Sequence, residues 1–323
     1  MPTPSTTFTE LVSTTFRNHA KDVKDNVSRN NALYARMTKK GMLRTEDGGL
    51  SITQPLDYNA NGTYQRYSGY DILNIQQSDV ITAAEYQWRQ IALNVVASGL
   101  ELRVNSGSNA ILKLAKARIK NAMRTFKNNF SYDIYADGTL PNQINGLQAL
   151  VADAGTGTVG GIDSSSWAFW QNAVQSAAAP LQGGGAITPS ATTIESLMLP
   201  LWLNQVRGDD KPDLIVASND YFTFYENSQV SIKRYTNTSE ADGGFTTMKY
   251  KNADVVFDGG SGISAAHMYF LNTDYLELVV HKDANLSVQD QMQPYNQDAA
   301  VIPILWMGNM VCSNRRLQGV LNA

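Results

Sequence analysis

The run from Ser108 to Gly138, SNAILKLAKARIKNAMRTFKNNFSYDIYADG, has no Pro or Gly inside it. A stretch this long without a breaker predicts a single helix. Ser108 can cap its start, because a seryl oxygen accepts one of the orphan N–H groups of the first turn. Gly138 can close its end in the left-handed conformation. If helical throughout, the segment spans about 43 Å at about 1.5 Å per residue, more than twice the common globular length. On a 100° wheel Leu112, Ala115, Ile119, Ala122, Met123, Phe126 and Phe130 share one side. Lys113, Lys116, Lys120, Arg124 and Lys127 share an adjacent stripe. The apolar side needs a large surface to bury against. The basic stripe faces either water or a polyanion, and the helix alone does not choose between them.

A chain of 323 residues, 43% of them hydrophobic, can bury a substantial core as one large or two ordinary domains. Only 17% of the residues are charged, below the usual quarter; Asn, Gln, Ser and Thr fill the difference. A polar, weakly charged surface suits a protein that covers much of itself with neighbours. The net charge of -3 is uneven: residues 1–44 carry eight Lys/Arg against three Asp/Glu, and residues 113–140 carry six against two. Residues 141–323 carry nine against seventeen. Two basic segments in an acidic chain fit one face turned toward nucleic acid. Cys312 is the single cysteine, which excludes an internal disulfide and a thiolate metal cluster. No signal peptide opens the chain, and the longest apolar run, Val301–Val311, is broken by Pro303, Gly308 and Asn309. No membrane partner is expected, and the single cysteine fits a reducing cytoplasm.

In chain order, Phe8, Leu11, Val12, Phe16, Ala20, Val23 and Val27 follow helical spacing within a basic arm that Asn30-Asn31 interrupts and Gly41 ends. Either the arm reaches outward or it packs on its own domain. Between Leu50 and Tyr70, Asn61-Gly62 predicts the turn of a hairpin whose strands carry Tyr58, Tyr64, Tyr67 and Tyr70. A two-stranded excursion is marginal alone and needs a surface to lie on. Ile81–Val96 reads as strand or helix. The Gly-rich Ala154–Ile162 reads as loop. A helix is expected over Ala191–Val206, stopped by Gly208, then a strand at Leu214–Ala217 and a helix capped by Ser218. Further strands are expected at Asp254–Phe257, His267–Leu271, Tyr275–His281, Ala300–Cys312 and Leu317–Leu321. Strand, turn and helix in succession make an α/β unit.

No catalytic constellation emerges. His19, His267 and His281 share no motif spacing, and His267 opens a strand. Asp209, Asp210 and Asp213 offer oxygen ligands, yet not at the spacing of a calcium loop. Arg207-Gly208-Asp209 reads as a helix stop rather than an adhesion tripeptide. The Gly-rich stretch lacks the Gly-Lys-Ser/Thr ending of a phosphate loop. Cys312, in an apolar strand, reads as an inert small hydrophobe. Neither an enzyme nor a cofactor is expected.

Several stretches carry a family resemblance together and in order. They are Asp25-Asn26-Val27-Ser28 with Asn30-Asn31-Ala32-Leu33, and Tyr67-Ser68-Gly69-Tyr70 through Ser78-Asp79-Val80-Ile81-Thr82-Ala83-Ala84-Glu85. Then come Gly146-Leu147-Gln148-Ala149-Leu150-Val151 with Gly160-Gly161-Ile162-Asp163, Lys211-Pro212-Asp213-Leu214-Ile215-Val216, Phe270-Leu271-Asn272-Thr273, and Gly308-Asn309-Met310 with Leu317-Gln318-Gly319-Val320-Leu321. The chain thereby resembles the major capsid proteins of tailed bacteriophages, with the Hong Kong-97-type fold. The resemblance implies an α+β chain. It comprises an N-terminal arm (1–44), an extended loop (45–85) and a peripheral domain with a spine helix (86–140). An axial domain (141–260), peripheral return strands (261–312) and a C-terminal axial strand (313–323) complete it. It implies self-assembly into hexamers and pentamers of an icosahedral head around double-stranded DNA, in a virion assembled in the host cytoplasm. The implied partners are other copies of the chain, non-specific DNA, a scaffolding protein, a portal and a decoration protein.

Three expectations follow. Some shells of this family are chained by a Lys–Asn isopeptide bond from the extended loop, but no lysine lies between Gly41 and Leu112. That crosslink should be absent, with the loop tyrosines holding neighbours instead. The short arm, with Met1 at its start, predicts no fused scaffold and no cleavage, hence a separate scaffold. The spine helix, which the family turns inward, would bring its basic stripe to DNA. A nanocompartment shell of the same fold enclosing protein cargo is the nearest alternative, ahead of an enzyme or a β-rich adhesin.

Overall fold

In a computed structural model of the chain, residues 31–104, 108–229, 247–258 and 262–323 are described. The basic-arm segment before Asn31, with His19, lies outside them. The long helix is present as α3, Ser108–Tyr135, 28 residues and about 42 Å. It ends three residues before Gly138, whose φ of +71° shapes the following turn rather than the cap itself. A shorter helix, α1 (Ala32–Lys40), begins at Asn31, whose side chain accepts from the Tyr34 N–H. It ends at Gly41 in the left-handed region. Ala32, Leu33 and Met37 of α1 are buried, so residues 31–44 pack on the body and do not reach away from it.

Five strands make the first sheet: β1 (Leu43–Glu46), β4 (Arg89–Ser98), β12 (Leu276–His281), β13 (Ser287–Val288) and β14 (Ala299–Cys312). β14 is its spine. Residues 299–308 of β14 pair antiparallel with all ten residues of β4, and its last five pair with β12. The segment expected as strand or helix over Ile81–Val96 is two strands, β3 (Ile81–Tyr86) and β4. Alternating burial along β4 is the period of a half-covered strand.

The second sheet has the order β7 (Ala173–Ser176), β15 (Gly319–Asn322), β11 (Met268–Leu271), β8 (Leu214–Ala217), β10 (Ala253–Phe257) and β9 (Thr247–Tyr250). Its strands bury both faces, and alternate residues go to different cores. Leu214, Val216, Val256, Tyr269, Leu271 and Val320 join one cluster. Ile215, Ala217, Val255, Met268, Phe270 and Leu321 join the other, under α5 (Ile194–Gln205) and α6 (Asn219–Ser228). The first cluster also takes Phe126, Phe130 and Ile134 of α3, Leu33 of α1, and Trp306 and Met310 of β14. The two sheets and the long helix therefore share one core. The expected peripheral segment 261–312 is divided: Met268–Leu271 pairs with β8 and β15 in the second sheet. Its four buried residues need partners on both faces, and the centre of that sheet supplies them.

Local expectations shift for identifiable reasons. Thr158–Val159 and Ile162–Asp163 (β5, β6) form a tight hairpin within the stretch read as loop. Gly160 and Gly161 both have positive φ, as a two-residue type I′ turn requires. Ser218 does not cap α6 with its side chain; its Oγ accepts from the His267 N–H instead. Gly208 is not a helix cap: α5 ends at Gln205, and Gly208-Asp209 form the tight turn of the Arg207–Asp210 bridge.

Candidate assembly surfaces

The hairpin stem is β2 (Ile52–Asp57) paired with β3, not with a strand after Asn61-Gly62. Ile52, Gln54, Leu56, Ala84 and Tyr86 form its buried face. Asn61 spends its side chain on the N–H and hydroxyl of Thr63, an Asx turn within one rail of the excursion. Tyr64, Tyr67 and Tyr70 therefore do not lie on a returning strand.

From Tyr58 to Val80 the two rails are tied mainly by side chains. The Tyr58 N–H donates to Val80 O at 3.0 Å, and the Gly62 N–H donates to Ser78 Oγ at 3.1 Å. Gln65 bridges to Ile72 O and the Asn74 N–H. At the tip the Ser68 N–H donates to Asp71 Oδ2 at 2.8 Å. Such a ribbon buries almost nothing: Tyr64 is 81% exposed, Ile72 93%, Ile75 92% and Tyr70 fully so. Contiguous exposed apolar side chains of this kind mark an interaction surface.

Tyr58 behaves differently from the other three tyrosines. At the ribbon's root, its ring meets Trp167 at 5.7 Å, edge to face, and Phe169 at 5.6 Å. Its hydroxyl hydrogen-bonds Asp79. These rings and Ile81 line a cavity of about 370 Å³, with Asp79 and Asp163 at its edge. The Asp163 carboxylate, held below its ordinary pKa by the Ser165 hydroxyl and N–H and by the Ser166 hydroxyl, is ionised at neutral pH. The stem is fixed to the body beside it: a Cβ on Gly160 would meet Ala84 Cβ at 2.8 Å, and the Glu85 N–H donates to Gly160 O.

The basic stripe lies on α3. Lys120 and Lys127 are exposed and Arg124 is half-buried. The helix is continuous through Lys113 and Lys116, whose side chains lie outside the described residues. Arg118, between Lys116 and Lys120 in sequence, forks onto Glu101 of α2 (Gly99–Val104) with bonds of 3.0 and 3.1 Å.

The residues screened for chemistry are dispersed. Asp210 accepts from the Tyr275 hydroxyl, and Asp213 pairs with Lys40 and Arg36. His267 meets Asp153 at 3.1 Å, whereas His281 packs on Trp88. Among the described residues no cluster of His, Cys, Asp or Glu could hold a metal ion, and no helix is long and apolar enough to cross a membrane. Burial pushes the Cys312 thiol up to about 12, so it is unreactive in the folded chain.

No family model and no curated protein matches the sequence. Solved structures do. The capsid asymmetric unit of cyanophage A-1(L) aligns with a TM-score of 0.62 at 16% identity, covering 94% of this chain and 96% of that one. The capsid of Myoviridae phage XM1 aligns at 0.53 and 12% identity, over 94% and 96%. The capsid of a native GTA particle aligns at 0.53 and 12%, over 96% and 98%. The chain has the Hong Kong-97-type capsid fold. Over nearly its whole length the chain, with the long helix α3 and the ribbon from Tyr58 to Val80, is covered by these alignments. Sequence reasoning expected a long helix here and an excursion between residues 45 and 85. It missed the aromatic root at Trp167 and Phe169, because nothing in a chain order signals that residues a hundred positions apart will meet.

Proposed function

We propose that the chain is the major capsid protein of a tailed bacteriophage, assembling into hexamers and pentamers of an icosahedral shell around double-stranded DNA. The observation that carries this reading is the ribbon from Tyr58 to Val80, which exposes tyrosines and aliphatics on a fold aligned end to end with capsid subunits. An isolated monomer gains nothing from such a ribbon; a closed shell gives it a neighbour to lie on. On this reading the five-stranded sheet and spine helix form the peripheral domain and the six-stranded sheet the axial domain. Lys113, Lys116, Lys120, Arg124 and Lys127 act as counter-charges to phosphate, independent of base sequence and sensitive to salt. A separate scaffolding protein, a portal and a decoration protein complete the partners, with no cofactor.

Negative-stain electron microscopy of the purified chain, alone and with lysate of producing cells, tests this. Closed shells enclosing DNA are expected. Shells filled with protein cargo would support the nanocompartment alternative, and a chain that never assembles would return the enzyme and adhesin readings. Shells boiled in SDS should run as monomers, because the loop has no lysine to form an isopeptide bond; a covalent ladder would contradict this.

A further inference from the structure

The cavity at the loop root has aromatic walls and two carboxylates, yet no Lys or Arg among the described residues is paired with Asp79 or Asp163. Trp167 is half exposed beside it. An arginine suits such a place: its guanidinium stacks on an aromatic face and forks onto a carboxylate. Between Arg44 and Arg89 the chain has one basic residue, Arg66. It is exposed, sits between Tyr64 and Tyr67 near the ribbon tip, and forms no ion pair among the described residues.

Arg66 does not line the cavity of its own chain, and among the described residues it forms no ion pair with Asp79 or Asp163. The rungs at 62/78 and 65/74 lie between it and the root and hold the ribbon extended. Resting on the reading of the chain as a shell subunit, we propose that Arg66 of one copy docks in the cavity of Tyr58, Trp167, Phe169, Asp79 and Asp163 of a second copy. Tip-to-root is a heterologous contact, the kind that closes a ring when the rotation between copies closes. Each subunit then gives one cation and receives one. The exposed ring of Tyr64 or Tyr67 comes to lie along the neighbour's stem, and the root is preformed because the rings of Tyr58, Trp167 and Phe169 already contact one another.

Two cysteines test the contact directly, since Cys312 is buried and unreactive. In the full-length chain, Arg66→Cys combined with Ser166→Cys should give, after oxidation of assembled particles, a ladder of disulfide-linked multimers on a non-reducing gel. Each single variant should run as monomer. Closed particles that yield only monomer from the double variant would overturn the proposal. A charge exchange avoids dependence on disulfide geometry. Arg66→Glu and Asp79→Arg should each lower the temperature at which particles come apart, and the double variant should recover at least half of the loss. Additive losses, or none, would overturn the docking while leaving the shell reading intact. A wild-type chain that forms no particles under any condition would remove the shell reading itself and this contact with it.

Discussion

Arg315 is fully buried without a carboxylate partner among the described residues. Its Nε donates to Leu150 O at 2.7 Å, one Nη to Trp170 O at 2.9 Å, and the other to Asn172 Oδ1 at 3.0 Å. Its guanidinium carbon lies 6.0 Å from the Trp170 ring centroid. Burial lowers its pKa, and the three oxygens replace the water it gave up. Arg315→Met would leave three buried acceptors without donors, at about 1 kcal/mol or more each. The unfolding free energy of the unassembled subunit, read by denaturant titration, should fall accordingly, by at least about 3 kcal/mol. Arg315→Lys should not rescue it, because an ammonium lacks the planar fork. None of this was legible in the sequence, where an Arg-Arg pair near the chain end looks like surface. Glu101 makes the opposite case. The forked bonds from Arg118 hold its carboxyl below its ordinary pKa of 4.5, helped by the Ser98 N–H and hydroxyl. A depressed folded pKa means that the stabilisation is present above pH 4.5 and is lost as pH falls through the folded value. Glu101→Gln should therefore melt earlier than wild type at pH 7, and the gap should narrow as pH falls below 4.5 and through the lowered folded value. A gap that does not change with pH would assign the effect to packing.

Among the elements, the spine helix and most strands were legible because each carries its own period: 3.6 over residues 112–130, two along Ile52–Leu56. The hairpin was misplaced at Asn61-Gly62 because a local turn signal cannot show which later strand will pair. Ile81–Tyr86 wins because its Ala84 and Tyr86 face the same core as Ile52 and Leu56. The junction at the end of the spine helix depends on one glycine. A Cβ at Gly146 would sit 2.2 Å from Ala136 O and 2.4 Å from Asp133 O, so the short helix α4 (Leu147–Leu150) could not approach. Gly146→Ala should destabilise the subunit by roughly 2 kcal/mol through forced backbone shifts. Calorimetry of the unassembled chain checks this, and an unchanged melting temperature would show that the junction yields freely.

For the whole molecule, charge and topology set the expectations. Replacing Lys113, Lys120 and Lys127 with Gln should weaken DNA-filled heads more than empty ones, read as the temperature at which each releases its contents or comes apart. Equal loss in both would confine the stripe to a solvated face. The stripe itself was plain in the sequence; what it faces was not, since a helix wheel has no partner on it. The path of the chain through β14 has a mechanical meaning. The ribbon runs through β3 and Gln87-Trp88 straight into β4, whose ten residues lie antiparallel beside Ala299–Gly308. A pull on the ribbon along its length thus enters the body as shear across that whole register. Hydrogen bonds loaded in shear share the force and fail together, whereas bonds loaded at one end peel apart in turn. Tension that passes the β2–β3 stem is spread over the long strand and not borne by one bond.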